Sequence, residues 1–381
     1  MAVKTNVTIN GIKYYQLYEN VGINPDGSIK YKRFYGKNKS DAENKRDLYF
    51  AKKHITKSYS MASECLKWLD NVVKVSGIKG SSYERYRGIY DNYIKTAPFA
   101  FKRVLEVKGT DIQSYYAELA KSGKSYSQIQ NLHKLLKRFF DYCYLNDMVL
   151  KNPSLNVTIP NQVKQKYYKE KVEIDVFTTT EKESIIDKSI KENLMYGAAI
   201  YFMFNFGMRI GEVLGLTIRD IGKDEITIRN TLSRYKDFDL DKYVKKLDDP
   251  KTETSIRTLY YSKETAFLIK KLKAERLRLI EILGDDYKNI YNLLITTPYG
   301  TPIDVANIRK FWKKILNELK IPYRKIHTAR HTFITDLSEN EIPLDLVQKM
   351  VGHRRGSKIT EDVYTHAKKD SFKKAMLKIT K

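Results

Sequence analysis

The chain has six histidines, and four of them, His327, His331, His353 and His366, fall near its C-terminal end. His327-Thr-Ala-Arg330-His331 sets two of them at i and i+4, on one face of a helix, as zinc peptidases do. Here the position of a general-base glutamate is Thr328, and Arg330 puts a fixed positive charge beside the second imidazole. No Cys, Asp or Glu stands at a third-ligand spacing, so no metal is predicted. A histidine and an arginine one turn apart suit an anion that needs a clamp and a proton shuttle together. Gly207-Met-Arg209-Ile-Gly-Glu212 is a second such place. An arginine just past a buried apolar helix is costly unless paired or facing an anion, and Glu212 is placed to orient it. Alone, that pair reads as structural. Tyr364 is one of 29 tyrosines and draws its weight only from position, eleven residues after His353.

Taken together, Arg209, Lys251, His327-x-x-Arg330, His353 and Tyr364 resemble the ordered signature of the tyrosine recombinases. The flanking words are similar too: G-x-R-x-x-E-x-L-x-L around Arg209, Pro250-Lys251-Thr252, and V-G-H ahead of T-x-x-x-Y-T-H. The likeness is strongest over about residues 177–367 and extends to the layout of mobile-element integrases. It implies attack by the Tyr364 phenol oxygen on a DNA phosphodiester, giving a 3′-phosphotyrosyl enzyme and a free 5′-hydroxyl. Arg209 and Arg330 would clamp the non-bridging oxygens, and Lys251 would protonate the leaving 5′-oxygen. His327 would assist proton transfer from the phenol, and His353 would hydrogen-bond the phosphoryl group. Covalent capture keeps the phosphodiester energy, so neither ATP, a metal nor another cofactor is implied. Lys245 and Lys246 lie close to Lys251 but lack its Pro-Lys-Thr setting; His331 is expected to support packing, and Glu212 to orient Arg209.

The elements that must position these groups can be read from charge and periodicity. A formal net charge of +25 over 381 residues points to a polyanionic partner, most simply nucleic acid. No apolar run is long enough to span a bilayer, and the N-terminus has no apolar leader segment, so a cytoplasmic protein with no membrane role is expected. Two cysteines cannot build a disulfide framework; Cys65 and Cys143 read as small core residues.

The expected fold is multidomain α+β. Residues 1–57 would be a β unit plus helix, with strands over Ile12 to Tyr18 and Ile29 to Tyr35 around an Asn24-Pro-Asp-Gly27 turn. Ser40 and Glu43 have capping-box spacing for the helix, and Lys13, Lys30, Lys32 and Arg33 would stud the sheet with charge. Residues 58–160 read as a helical bundle, with Ile129, Leu132, Leu135, Leu136, Phe139, Phe140 and Cys143 on one stripe and His133, Lys134, Lys137 and Arg138 opposite. Trp68, Leu69 and Val72 begin another stripe. Residues 161–176 read as a basic linker, and 177–381 as a mostly helical domain with a small β-sheet. In that last domain Thr180 and Glu183 form a plausible cap, Tyr196 to Phe206 a buried helix ended by Gly207, and Ile226 to Leu232 and Ile256 to Tyr261 two strands. Phe372, Met376 and Ile379 suggest a final amphipathic helix, docked in cis or in trans.

The resemblance implies names for these parts: a three-stranded arm-binding domain, a SAM-like core-binding domain and the catalytic domain. It implies double-stranded DNA as partner at core and arm sites, a homo-tetramer in synapsis, and accessory DNA-bending or directionality proteins. The alternatives are a chromosome-dimer resolvase, a type IB topoisomerase, and a DNA-binding regulator with a vestigial site.

Overall fold

The computed structural model describes residues 6–23, 28–54, 60–169, 175–248 and 256–352. By contact the chain divides into two compact units, Met1–Tyr168 and Lys169–Lys381.

The first unit opens with an antiparallel meander, β1 (Val7–Ile9), β2 (Ile12–Ile23) and β3 (Ile29–Gly36). Ile9 pairs with Ile12 across Asn10-Gly11, both with positive φ, the two-residue turn whose twist matches that of its strands. The Asn24–Gly27 turn lies outside the described residues. Helix α1 (Lys39–His54) packs on β2 and β3, with Phe34 and Ala42 buried between them. Its cap differs from the expected Ser40: the Asn38 Oδ1 accepts from the Asp41 amide at 2.9 Å, because the chain turns directly out of β3 at Gly36. The strand period also sorts the expected basic residues. Lys32 shares Phe34's face and lies 4.1 Å over the Tyr49 ring, whereas Arg33 sits over Tyr18, whose ring stacks on Tyr31 at 5.1 Å.

The helical remainder of this unit comprises α2 (Met61–Trp68), α3 (Gly80–Ile89), α4 (Gly109–Lys121), α5 (Tyr126–Leu145) and α6 (Asn161–Lys169). All seven stripe residues named above are buried in α5, which is capped by Ser125 and Gln128 in a reciprocal box. Cys65 and Cys143 are free and buried, and burial pushes the Cys143 thiol up to about 12. Two expectations shift. The turn Leu69–Val73 is π-helical, so Val73 is buried and Val72 is exposed. His133 does not face water with its lysines; its Nδ1 lies 3.2 Å from the Tyr116 hydroxyl, and burial lowers its pKa. The basic segment read as a linker carries α6.

The second unit is built on α8 (Leu194–Phe206), apolar all round and buried, with α7 (Thr179–Glu192) beside it. The cap of α7 is Thr178 with Glu181, two residues before the expected pair; of three successive threonines it is the one whose hydroxyl accepts the Glu181 amide. Helix α9 (Ile210–Leu214) follows, then β4 (Glu225–Ile228), β5 (Thr231–Asp237), β6 (Lys242–Asp248) and β7 (Arg257–Tyr260). The expected strand Ile226 to Leu232 is two strands: β4 pairs with β7, and β5 turns back on β6 as a separate hairpin. The break falls at Arg229, whose side chain is held by Asp220 at 2.8 Å. Helices α10 (Lys263–Leu283), α11 (Val305–Glu318), α12 (Thr328–Glu339) and α13 (Leu344–Val351) complete the unit. Trp312 of α11 sits in its core against Phe177 and Phe204. Among the described residues no helix is long and apolar enough to cross a membrane. The expected C-terminal helix lies outside them.

Candidate active site

The site begins where α8 stops. Gly207 takes the left-handed conformation at φ 56°, and a Cβ there would fall 2.3 Å from the Phe333 ring, so both torsion and space call for glycine. Its carbonyl accepts from Arg330 Nη1 at 2.5 Å. Two residues on, Arg209 is the N-cap of α9, and Glu212 reaches back to its amide at 2.9 Å. The second oxygen of that carboxylate takes Arg209 Nη1 at 2.6 Å. One short helical turn thus fixes the Arg209–Glu212 pair that the sequence suggested.

Tertiary packing adds two further guanidiniums. Arg257, the first residue of β7, donates from Nη2 to Glu212 at 2.8 Å and from Nε to the Met350 carbonyl at 2.7 Å. Arg330, in the first turn of α12, donates from Nη2 to the Val351 carbonyl at 2.6 Å, and its Nη1 lies 3.9 Å from Glu212. Glu212, Arg257 and Arg330 are buried, whereas 38% of the Arg209 side chain is exposed. Three positive groups around one carboxylate leave a surplus of positive charge, whose accessible member is Arg209.

The electrostatics follow from that crowding. Burial by itself would raise the Glu212 pKa; Arg257, Arg209 and Arg330 outweigh it and hold the carboxyl down at about 2. Burial and Arg209 push the Arg330 pKa down while Glu212 opposes them, and a guanidinium stays charged throughout. His327 is the N-cap residue of α12, with its outer edge exposed and its ring edge-on to His331 at 5.0 Å between centroids. Partial burial, then His331, Arg330 and Arg209, draw its pKa down to about 4. It is therefore neutral at pH 7, and the nearby arginines hold its basicity down. Burial and Arg330 lower the His331 pKa as well, and its Nδ1 is buried without a hydrogen-bond partner.

Of the six signature residues, Arg209, His327 and Arg330 are thus brought together; Lys251, His353 and Tyr364 lie outside the described residues. Lys245 belongs to β6 and donates to the Pro302 carbonyl at 2.7 Å. Arg257 escaped the sequence reading. Its one signal was an arginine on the inward-facing phase of a strand whose next inward residue, Leu259, is apolar. Among the described residues no three His, Cys, Asp or Glu side chains form a metal site.

Comparison with known proteins gives the family and the fold. A family model described as the phage integrase family matches residues 175–371. The chain is 33% identical over 385 residues to a "Tyrosine recombinase XerC-like" protein of Caldanaerobacter subterraneus subsp. tengcongensis, covering 96% of this chain and 95% of the relative. It is 26% identical to the integrase of Staphylococcus phage L54a, over 79% of this chain and 86% of that protein. Among solved structures, the Tn1549 transposon integrase in complex with a circular intermediate DNA superposes with a TM-score of 0.66 at 20% identity, over 84% of this chain and 100% of that one. A lambda integrase tetramer bound to a Holliday junction gives 0.55 at 14% identity, over 91% and 94% of the two chains. At those identities the superpositions show a shared fold.

Proposed function

The chain belongs to the phage integrase family, and on that premise we propose that it is a site-specific DNA recombinase that integrates and excises a phage or conjugative element. The observation that carries the reading is the convergence of Arg209 and Arg330 on Glu212, with His327 at the start of the helix that bears Arg330. Tyr364 Oη attacks the phosphorus as the bond to the 5′-oxygen breaks, leaving a 3′-phosphotyrosyl link. The phenolic proton passes to the His327 imidazole, and Lys251 gives a proton to the departing 5′-oxygen. Negative charge gathers on the non-bridging oxygens, where Arg209 presents the exposed guanidinium; Arg330, expected as the second clamp, is buried with its donors on the Gly207 and Val351 carbonyls and adds potential from behind. His353 donates to the same phosphoryl group. Religation is the reverse, with a 5′-hydroxyl as nucleophile. One phosphoester is exchanged for another, so neither ATP nor a metal is needed.

In this reading three parts meet DNA. Residues 1–57 take arm sites on the open sheet face where Tyr18, Tyr31 and Arg33 lie together. The bundle at 58–160 and the domain at 177–381, joined by 161–176, both contact core-site duplex. Phosphate contacts supply most of the affinity, which falls steeply with salt. Four protomers on two duplexes, assisted by DNA-bending or directionality proteins, exchange strands pairwise. The DNA-bound integrases of similar fold support that assembly.

The test is a nicked suicide duplex built on the sequence the protein selects from a randomised pool. A denaturation-resistant protein–DNA adduct is expected from the full chain and none from Tyr364→Phe. Equal behaviour of the two proteins refutes the assignment. Relaxation of a supercoiled plasmid by single protomers would instead favour a topoisomerase.

A further inference from the structure

The last two carbonyls of α13 are each taken by an arginine. Arg257 Nε holds Met350 at 2.7 Å and Arg330 Nη2 holds Val351 at 2.6 Å. Free carbonyls at a helix end attract cations, but these two belong to a buried pair of guanidiniums that also meet Glu212. Immediately beyond them Gly352 turns left-handed at φ 66°, and a Cβ there would come 2.8 Å from Arg257 Nη1. The next residue is His353, and Tyr364 follows eleven residues later. The carboxylate that orients Arg209 therefore also anchors, through Arg257, the helix end from which the chain departs toward its proposed nucleophile.

We propose that Arg257 is a positioning residue that locks the end of α13 to the Arg209–Glu212 pair, setting where the chain leaves toward His353 and Tyr364. The inference rests on the recombinase reading above. Arg257 touches neither DNA nor the reacting atoms in this role. Its guanidinium is suited to it because two donors in one plane grip a carboxylate while Nε reaches a third acceptor. A lysine at this position keeps the charge yet cannot span all three.

The experiment uses the full chain and the nicked duplex selected from a randomised pool, with adduct formation followed under single-turnover conditions. Arg257→Ala is expected to cut the rate about 100-fold or more, as misplacement of reacting groups by an ångström does, with duplex affinity within about threefold of wild type. Arg257→Lys should recover part of the loss, and millimolar guanidinium, against matched sodium chloride, should recover about tenfold in Arg257→Ala. Amide exchange should rise across residues 344–352 in Arg257→Ala and stay unchanged in α8. Cleavage by Arg257→Ala within about threefold of wild type overturns the inference. So does a loss confined to DNA affinity, or a loss that neither lysine nor guanidinium restores and that comes with faster exchange throughout α8. If wild type itself forms no adduct while Tyr364→Phe behaves identically, the recombinase reading fails and this inference falls with it. If wild type reacts and Arg257→Ala reacts equally, only the inference fails.

Discussion

Helix α5 and the surroundings of Glu212 are both buried, and they are buried for opposite reasons. In α5 seven apolar residues recur at helical spacing and turn one continuous face inward. Removing that surface from water is favourable at every position, by about 1.5–3 kcal/mol for a large aliphatic or aromatic side chain. Around Glu212 the buried groups are three charges drawn from three places in the chain, Glu212, Arg257 and Arg330, and burial opposes each one. A desolvated ion cluster is weak evidence for stability, since apolar residues of equal volume often serve as well. The same unit buries a second carboxylate, Asp220, beside one arginine; the crowding of three guanidiniums on Glu212 is what marks a place kept for chemistry. Apolar burial thus reports the fold and crowded buried charge reports the site.

The difference can be broken most forcefully at Glu212. Glu212→Ala leaves Arg257 and Arg330 as uncompensated buried cations and is expected to cost about 3–5 kcal/mol, read by urea denaturation through Trp312 in a Trp68→Phe background. It should also abolish adduct formation under conditions where the protein remains folded. Leu132→Ala in α5 is expected to cost about 2–5 kcal/mol from lost burial and the cavity left behind, read through Trp68 in a Trp312→Phe background. Below its own transition that variant should cleave the suicide duplex at an undiminished rate per folded molecule. If Leu132→Ala slowed cleavage as much as Glu212→Ala did, the separation of fold from site would fail.

The smallest effect is one of pH. The folded-state pKa of His327 is depressed to about 4 from an ordinary 6.5, so its stabilisation is complete above 6.5 and is lost as pH falls toward 4. His331 shifts in the same direction. Glu212, held at about 2 against an ordinary 4.5, loses its contribution only between those values. The melting temperature followed by Trp312 should fall in two stages on acidification, and His327→Gln should weaken the first while sparing the second. The acid limb of cleavage should correspondingly lie near 4 and not near 6.5. In the bundle burial also lowers the His133 pKa, so Trp68 should report a fall of its own in the first stage, but among its described residues no buried carboxylate sits between guanidiniums to give the second.

Sequence made some of this legible and hid the rest for identifiable reasons. The α5 stripe, the buried α8 and the Gly207 terminus were readable because each is decided within a few turns of chain. The hairpin β5–β6 was missed because a charged, irregular-looking stretch pairs with itself only through register; the three-stranded N-terminal sheet that the resemblance implied is present, its first strand β1 joined through the Asn10-Gly11 turn. The caps of α1 and α7 moved by two residues since several neighbouring side chains offered an oxygen and the exit angle of the preceding segment chose among them. The π-turn after α2 displaced the inward position from Val72 to Val73, a change no helical period of 3.6 anticipates. At the site, the motif pointed to Arg209, His327 and Arg330, and the Arg209–Glu212 pair needed only one turn of α9.

Types and order of the reactive side chains, the net charge, and the short turn that pairs Arg209 with Glu212 were fixed by the linear chain, because they depend on composition or on neighbours within a turn or two. The sharing of one carboxylate among three guanidiniums, the lowered pKa of His327 and the anchoring of α13 by Arg257 were settled only in three dimensions. Those properties arise from desolvation, from charges at positions 209, 212, 257 and 330 and from the Met350 carbonyl, which the chain separates and the fold brings together.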